Sequence, residues 1–231
     1  MLEPRGLVEK LEQPAEAHPG RGERFAGYGV MGLTFTSGHI LGLRRFPASS
    51  LGLGYTSVWH RDPEGVWSMY QDVPSHQACS RNFGSAVAEA AVQEIAIAWP
   101  GPDKFVVNAV GHCPITWSVK LVAGPTTRFM NSLGGMTPGP LWRQPLFLKL
   151  MGGVAGLALG AGHLALEGQA TSGQRFTANP RLIWAVGDSS ATVAGQDLGK
   201  MGSLPAPAQP GDFWIPQRGL FVIGSASCET P

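Results

Sequence analysis

Apolar and polar residues alternate along much of this chain, in runs that have the length of β-strands. The clearest run is ITWSVKLV, in which Ile115, Trp117, Val119 and Leu121 occupy every second position. Successive side chains of a strand point to opposite faces of its sheet. The alternation therefore predicts a half-buried strand over residues 115–122.

A second pattern, YTSVWHRDPEGVWSMYQD at residues 55–72, predicts a β-hairpin. Two runs rich in valine, tryptophan and tyrosine flank Asp62-Pro63-Glu64-Gly65. Aspartate can accept a hydrogen bond within such a turn, proline fixes φ, and glycine adopts a positive φ without a clash. Neither face of the first strand is purely polar, so we predict that the hairpin is a wall between a core and a ligand pocket.

Other short runs predict further antiparallel strands. Runs punctuated by glycine from Phe25 onward predict a meander that leads into the hairpin. The remaining predicted elements are a strand at 92–99 within a hairpin at 93–110, a hairpin at 164–186 around Ser172-Gly173, a turn at Gly187-Asp188 and a last strand from Gly219.

Together these elements predict an all-β fold, either an antiparallel barrel or two packed sheets. The segment 126–160 is rich in glycine and proline, and both a helical lid and a strand connection stay open there. Residues 1–24 are charged and contain proline, which predicts a loosely ordered N-terminal arm. Residues 25–231 predict a single β domain, and a loose two-part rhythm leaves open a division into halves at 25–123 and 160–231.

The composition excludes two classes of protein. Charged residues make up 14% of the chain and the formal net charge is +1, so no overall field attracts nucleic acid or anionic lipid. We therefore predict no nucleic-acid partner. The apolar stretch 146–166 is interrupted by glycines and contains Lys149 and His163, which argues against a transmembrane segment.

Cysteine usage and the N-terminal residues bear on the cellular location. Cys79, Cys113 and Cys228 are widely spaced and form no C-x-x-C pair, which predicts free thiols in a reducing, cytoplasmic setting. The first residues are charged and lack an apolar core, so we predict no secretory signal. The sequence leaves a homodimer open.

Motifs for metals and cofactors are missing from the sequence. It has neither H-x-H nor H-E-x-x-H spacing. The letters GYGVMG, from Gly27, match a dinucleotide fingerprint, but the pattern predicts a strand after them where that fingerprint needs a helix. No G-x-S-x-G nucleophile elbow is present. We therefore predict no metal and no cofactor.

Acid and base groups in or near the predicted strands are the candidates for catalysis. His60 precedes the hairpin turn, where Asp62 or Asp72 would orient its imidazole for general acid/base work. Tyr70 would hydrogen-bond a carbonyl or hydroxyl of a ligand, and Asp212 is a carboxylate whose pKa burial would raise. The competing interpretation makes His60 an outward strand residue and Asp62 and Asp212 turn residues.

Aromatic side chains are numerous and are candidates for contacts with an apolar ligand, although a β core also uses them for packing. A polar loop adds an imidazole and a guanidinium, and such loops concentrate binding residues. The candidate ligand-binding residues are Tyr28, Tyr55, Trp59, Trp67, His76, Arg81, Trp117, Trp184 and Trp214.

The order of several segments resembles a known family. These segments are QEIAIAW from Gln93, ITWSVKL from Ile115, GAGHLALEGQ from Gly160 and RLIWAV from Arg181. Over residues 25–227 the chain is similar in texture to the two-part lipocalin-like proteins related to carotenoid 1,2-hydratase and tocopherol cyclase. The resemblance implies a lipocalin-like barrel and a hydrophobic ligand of isoprenoid or aromatic type.

Three functional hypotheses are compatible with these features. The first is a protein that holds an apolar small molecule in its barrel and catalyses cofactor-independent hydration, isomerisation or cyclisation on it. The second is a carrier or sensor with the same pocket and no catalysis. The third is a structural interaction module, which is favoured if side chains fill the interior.

Overall fold

The computed structural model of this chain describes residues 3–13, 21–202, 208–210 and 212–229. Within these ranges the helices are α1 (Pro4–Leu11), α2 (Pro125–Met136) and α3 (Pro145–Leu159). The strands are β1 (Glu23–Val30), β2 (Leu33–Phe35), β3 (Ile40–Ser49), β4 (Tyr55–Arg61), β5 (Trp67–Gln71), β6 (Glu89–Val92), β7 (Glu94–Ala98), β8 (Lys104–Val110), β9 (Ile115–Val122), β10 (Glu167–Gln169), β11 (Arg175–Val193), β12 (Gln196–Asp197), β13 (Met201–Gly202) and β14 (Leu220–Glu229). Short 3-10 helices lie at Ser75–Gln77, Cys79–Asn82, Gly84–Ala86 and Gly139–Arg143. None of the described helices is long and apolar enough to cross a membrane.

Ten of these strands form one continuous path of hydrogen-bonded neighbours. Its order is β6-β5-β4-β3-β1-β14-β11-β9-β8-β7. All neighbours on the path are antiparallel except β5 and β6, which are parallel. The all-β prediction is confirmed, and the one parallel pair is a departure from the purely antiparallel arrangement that the sequence predicts.

The two ends of the path meet through a single residue, Gln93, which separates β6 from β7. Its backbone N–H donates to the carbonyl of Gln71 at 2.8 Å, which extends the pairing with β5. Its side-chain amide donates to the carbonyl of Cys113 and accepts from the N–H of Cys113, both at 3.0 Å, in the turn between β8 and β9. The chain thus connects the two edges, although β6 and β7 do not pair with each other, and we call this ring-shaped sheet of ten strands the open barrel.

The interior of the open barrel is filled by side chains from strands all around the ring. Phe105 of β8 and Phe221 of β14 are fully buried, and their ring centroids are 5.7 Å apart although these strands are not neighbours. Trp117 is also fully buried, and its Nε1–H donates to Ser189 Oγ at 2.8 Å. Contact across the ring shows that the sheet curls around a packed apolar core.

Helix α1 packs against one end of this core. Its residues Leu7, Val8 and Leu11 contact the core cluster, and the N–H of Arg5 donates to the carbonyl of Pro102 in the turn between β7 and β8. Beyond the helix, Glu12 accepts hydrogen bonds from Tyr28 and Arg45. Burial would raise the pKa of Glu12, but these hydrogen bonds outweigh it and lower that pKa. Residues 1–2 and 14–20 of the predicted arm lie outside the described residues.

Several local predictions can be compared with these elements. The hairpin at 55–72 and the strand at 115–122 are confirmed by β4, β5 and β9. The segment 126–160 is helical, which decides between the two interpretations of it.

The predicted turn at Gly187-Asp188 is wrong, because β11 continues through it to Val193 with a bulge between Val186 and Asp188. A Cβ at Gly187 would lie 2.6 Å from the Val122 side chain. The glycine is therefore needed because β9 comes close to the backbone at this bulge, and it does not mark a chain reversal.

The contacts of Gln93 predict a specific effect of the Gln93→Leu substitution. The variant keeps the size of the side chain but leaves the N–H and carbonyl of Cys113 without these partners, so we expect unfolding to become easier by about 2 kcal/mol. Urea unfolding measures this difference. Gln196→Leu is the matched control, because Gln196 is exposed. Equal stability of the Gln93 variant and the wild type would contradict a role for this residue in joining the edges.

Candidate functional site

An apolar cavity of about 150 Å³ lies outside the open barrel, between the sheet and helices α2 and α3. Strands β1, β3, β11 and β14 form its floor, the two helices form its roof, and Phe213, Trp214 and Pro216 lie at one side. Its lining residues include Met31, Arg44, Phe46, Met130, Gly134, Trp142, Met151, Ala155, Leu164, Asn179, Ile183, Phe213, Trp214, Leu220 and Val222.

Strand alternation explains how one sheet serves both the core and the cavity. In β14, Phe221 and Ile223 belong to the core of the open barrel, while Leu220 and Val222 pack with the helices and line the cavity. In β11, Ile183 likewise faces the helices. Side chains of adjacent residues point to opposite faces, so these strands are apolar on both sides.

Proline begins both helices of the roof, at Pro125 and Pro145, where its missing N–H is not needed. The side chain of Asn131 fixes α2 to the sheet, since it accepts from the N–H of Ile183 at 2.7 Å and donates to the carbonyl of that residue at 3.0 Å. In α3, a Cβ at Gly156 would collide with the carbonyl of Gly162. Glycine therefore allows the segment after α3 to pack directly on the backbone of that helix.

The guanidinium of Arg44 is the buried charged group of the cavity wall, whereas Arg181, which also lines the cavity, is exposed. Arg44 lies on β3, on the same face as Gly42 and opposite to the face of Leu41 and Leu43, which enter the core. Its Nη1 donates to the carbonyls of Val30 at 2.6 Å and Leu43 at 2.8 Å. Its Nη2 donates to the carbonyl of Met31 at 3.2 Å. The backbone therefore holds the guanidinium in one orientation.

Aromatic rings surround this cation in place of a carboxylate. The Cζ of Arg44 lies 4.7 Å from the ring centroid of Trp59 and 5.2 Å from that of Phe213, within the range of cation–π attraction. Among the described residues no carboxylate forms an ion pair with it. The side chain is 5% exposed, and burial lowers the pKa of Arg44 to about 10.

Hydrogen-bonding capacity remains on one edge of Arg44. A guanidinium has five N–H donors, and three of them donate to Val30, Leu43 and Met31. The Nε–H and the second Nη2–H have no acceptor among the described residues. These two groups form a side of the fork that matches the two oxygens of a carboxylate.

Two further polar atoms without partners belong to residues of the cavity wall. Trp142 Nε1 and Asn179 Oδ1 are buried and have no hydrogen-bond partner among the described residues. One is a donor and the other an acceptor. The cavity therefore combines apolar walls with three polar groups of different character, which is the usual composition of a small-molecule site.

The structure brings three of the candidate site residues to this cavity. Tyr28 and Trp214 line it. Trp59 lies beneath the guanidinium of Arg44. The Tyr28 hydroxyl donates to Glu12 at 2.8 Å, and burial is the main reason that the pKa of Tyr28 is raised. The ring of Trp214 packs against His163.

His60 lies apart from the cavity and pairs with another histidine. The two rings stack with centroids 5.1 Å apart, and His39 Nδ1 and His60 Nε2 are 2.8 Å apart. One ring donates and the other accepts, according to the tautomer. Both residues are buried. Burial first, and the neighbouring His39 second, lower the pKa of His60 to about 4, while Asp62 acts in the opposite direction.

The other candidate catalytic residues lie at separate places. Asp62 accepts from the N–H of Val66 at 2.8 Å within the hairpin turn. Asp212 is exposed and accepts from the N–H of Gln169 at 2.8 Å. Tyr70 is buried in the core of the open barrel, where burial raises its pKa. The structure therefore does not bring these three together with His60.

The remaining candidate ligand-binding residues divide between core and surface. Trp117 and Trp184 are in the core of the open barrel. Tyr55 and Trp67 belong to a second core cluster on the outer face of the hairpin, where the Tyr55 hydroxyl accepts from the N–H of Cys79 at 3.0 Å. The loop residues are outside both clusters: His76 is exposed, and Arg81 forms a 2.5 Å ion pair with Glu23.

The sequence did not identify several of the residues that line the cavity. Arg44 stands in an apolar strand run, ILGLRRF, and a charge at an alternating position among apolar neighbours was the available signal for it. Met130, Met151 and Ala155 were hidden because the helical nature of their segment stayed open. No group of three or more histidine, cysteine, aspartate or glutamate side chains in the described ranges could hold a metal ion.

The low pKa of His60 predicts a pH dependence of stability. An unfolded histidine titrates near pH 6.5, so between pH 6.5 and about 4 the unfolded chain takes up a proton that the folded chain excludes. The contribution of neutral His60 to the free energy of unfolding is therefore fully present above pH 6.5. It falls by on the order of 3 kcal/mol as the pH drops to about 4. In His60→Asn we expect most of this loss to disappear. Urea unfolding at pH 7.0 and 4.5 measures it, with the exposed His76→Asn as control; an unchanged loss in the His60 variant would contradict the assignment.

Comparison with known proteins identifies a structure of similar fold and no family. No protein-family model and no curated protein matches the chain. A crystal structure of acetoacetate decarboxylase from Legionella pneumophila is similar over 97% of this chain and 93% of that chain, with 10% identity and a TM-score of 0.42. A similarity of this degree gives no information about activity. The resemblance to the hydratase and cyclase families stays a prediction.

Proposed function

We propose that this protein binds a small apolar molecule that carries a carboxylate or a similar anionic group, in the cavity beneath α2 and α3. The observation that supports the proposal is the buried Arg44 in the wall of an apolar cavity. It has aromatic and backbone contacts, and two of its N–H groups have no acceptor among the described residues. The proposal places the ligand outside the open barrel, between the sheet and the helices.

The electrostatics of Arg44 support an anionic ligand. A buried charge is costly unless it is paired, and carbonyl and aromatic contacts compensate it in part. A carboxylate at the free Nε–Nη2 edge would neutralise the charge and make two charge-assisted hydrogen bonds in a water-poor setting. A neutral ligand of the same shape would leave the charge uncompensated.

The volume of the cavity supports a small ligand. An engineered cavity of about 150 Å³ in another protein accommodates benzene, so about 150 Å³ in this protein suits one aromatic ring or one short branched hydrocarbon unit. This fits the aromatic or isoprenoid ligand that the sequence suggests. Trp142 Nε1 and Asn179 Oδ1 would hydrogen-bond further polar atoms of the ligand.

The lining favours a carrier or sensor over an acid/base enzyme. Among the described residues, those that line the cavity include no aspartate, glutamate or histidine. General acid/base catalysis needs such a group within hydrogen-bond reach of the reacting atom. Hydration, isomerisation or cyclisation stays a hypothesis from the sequence, and binding is the function that this site supports best.

Substitution of Arg44 tests the charge recognition. We expect benzoate to bind at least about tenfold more tightly than benzyl alcohol at pH 7, since hydrogen bonds to charged groups contribute about 1.5–3 kcal/mol. In Arg44→Met the preference for benzoate should disappear. Arg44→Lys should retain part of it, because an ammonium keeps the charge but not the fork. Isothermal titration calorimetry measures each affinity, and unchanged benzoate binding by Arg44→Met would contradict the proposal.

Filling the cavity tests its location without altering the charge. Ala155 is buried in α3 and lines the cavity, so the larger side chain of Ala155→Leu would occupy the space of the ligand. We expect binding of benzoate and of benzyl alcohol to fall at least about tenfold. Val154→Leu, at the exposed neighbouring position, is the matched control. Wild-type affinity in the Ala155 variant would place the ligand elsewhere.

A further inference from the structure

We propose that α2 and α3 dock this protein on an anionic lipid surface. The docking surface, which we call the outer face, consists of Phe129, Met136, Leu146, Leu150, Val154 and Leu157. All six side chains are exposed, and Leu157 is 88% exposed. On α3, Leu146, Leu150, Val154 and Leu157 recur at helical spacing and share one side of the helix. Large exposed apolar patches mark interaction sites.

Helix α3 is apolar on both sides, which is unusual for a helix at the surface of a domain. Its inner side chains Leu148, Met151 and Ala155 are buried over the sheet, whereas Leu150 and Leu157 are exposed. A surface helix normally carries polar residues toward solvent. In the sequence PLFLKLMGGVAGLAL, Lys149 is the one charged residue. The outer side of α3 therefore needs an apolar environment that water does not provide.

The charge around the outer face favours an anionic partner. Residues 125–160 contain three cationic side chains and no aspartate or glutamate, although the net charge of the whole chain is only +1. Arg128 and Lys149 are exposed and form no ion pair with any described residue. Helices that lie in the headgroup region of anionic membranes have this composition, with apolar side chains next to unpaired cations.

A second copy of the chain fits this surface less well. In a two-fold dimer the same patch meets itself, so Arg128 and Lys149 of one copy would approach the same cations of the other. No acidic side chain within 125–160 is available to compensate them. An anionic lipid surface offers both the apolar environment and the opposite charge.

Docking does not depend on the ligand proposed above, because it uses the opposite sides of the two helices. Met130 of α2 and Met151 of α3 line the cavity, while Phe129 and Leu150 point away from it. The roof of the cavity would then lie against the lipid, and an apolar ligand would have only the two helices between itself and the membrane.

Vesicle sedimentation with the full chain tests the inference. We expect binding to phosphatidylcholine vesicles that contain phosphatidylglycerol, and much weaker binding to vesicles of phosphatidylcholine alone. Arg128→Gln with Lys149→Gln should weaken binding about 30-fold, since each cation near such a surface contributes about 1 kcal/mol. Leu150→Ser with Leu157→Ser should weaken it at least about tenfold. High salt should reduce the preference for phosphatidylglycerol.

Matched controls keep the test specific to the outer face. Leu53→Ser removes a leucine that is 84% exposed in the connection between β3 and β4, and Lys120→Gln removes an exposed cation on β9. Both controls should bind vesicles as the wild type does. Absence of binding to anionic vesicles, or equal loss in the controls, would overturn the inference. So would a dimer, seen by analytical ultracentrifugation, that the two leucine substitutions dissociate.

Discussion

The sheet curls until its two edge strands, β6 and β7, are separated by one residue, Gln93, and the hydrogen bonds of that residue fix the chain on both sides of the connection. A curled sheet with free edges would expose unpaired backbone groups. Here one residue pairs by its backbone with Gln71 on one side and by its side chain with Cys113 on the other. The curled sheet encloses a packed interior, in which Trp117, Phe105 and Phe221 are fully buried.

Because side chains fill the interior of the open barrel, the cavity lies on the side of the sheet that faces away from that interior. Strands β11 and β14 are apolar on both sides, so they need a second cover, and α2 and α3 provide it. The helices do not fill all the space over the sheet, and the cavity remains between the helices and the sheet. Arg44 lies in its wall, where aromatic rings and backbone carbonyls contact the guanidinium.

Local patterns in the sequence predicted local structure well. The Asp-Pro-Glu-Gly turn and the alternation over 115–122 depend only on neighbouring residues, and both predictions are confirmed. The turn at Gly187 was wrong because the glycine there accommodates the Val122 side chain of a strand that is distant in sequence. For the same reason the sequence could not separate core tryptophans such as Trp184 from cavity residues such as Trp214, since that depends on the direction in which the sheet curls.

Helices α2 and α3 are inserted between β9 and β11, two strands that are direct neighbours in the ring. The ladder between Val122 and Ala185 closes at the base of this excursion whatever the excursion contains. Its length and composition can therefore drift over evolutionary time with little disturbance to strand pairing. Relatives of this chain would be expected to share the ring and to differ most in the roof, and with it in the molecules that they recognise.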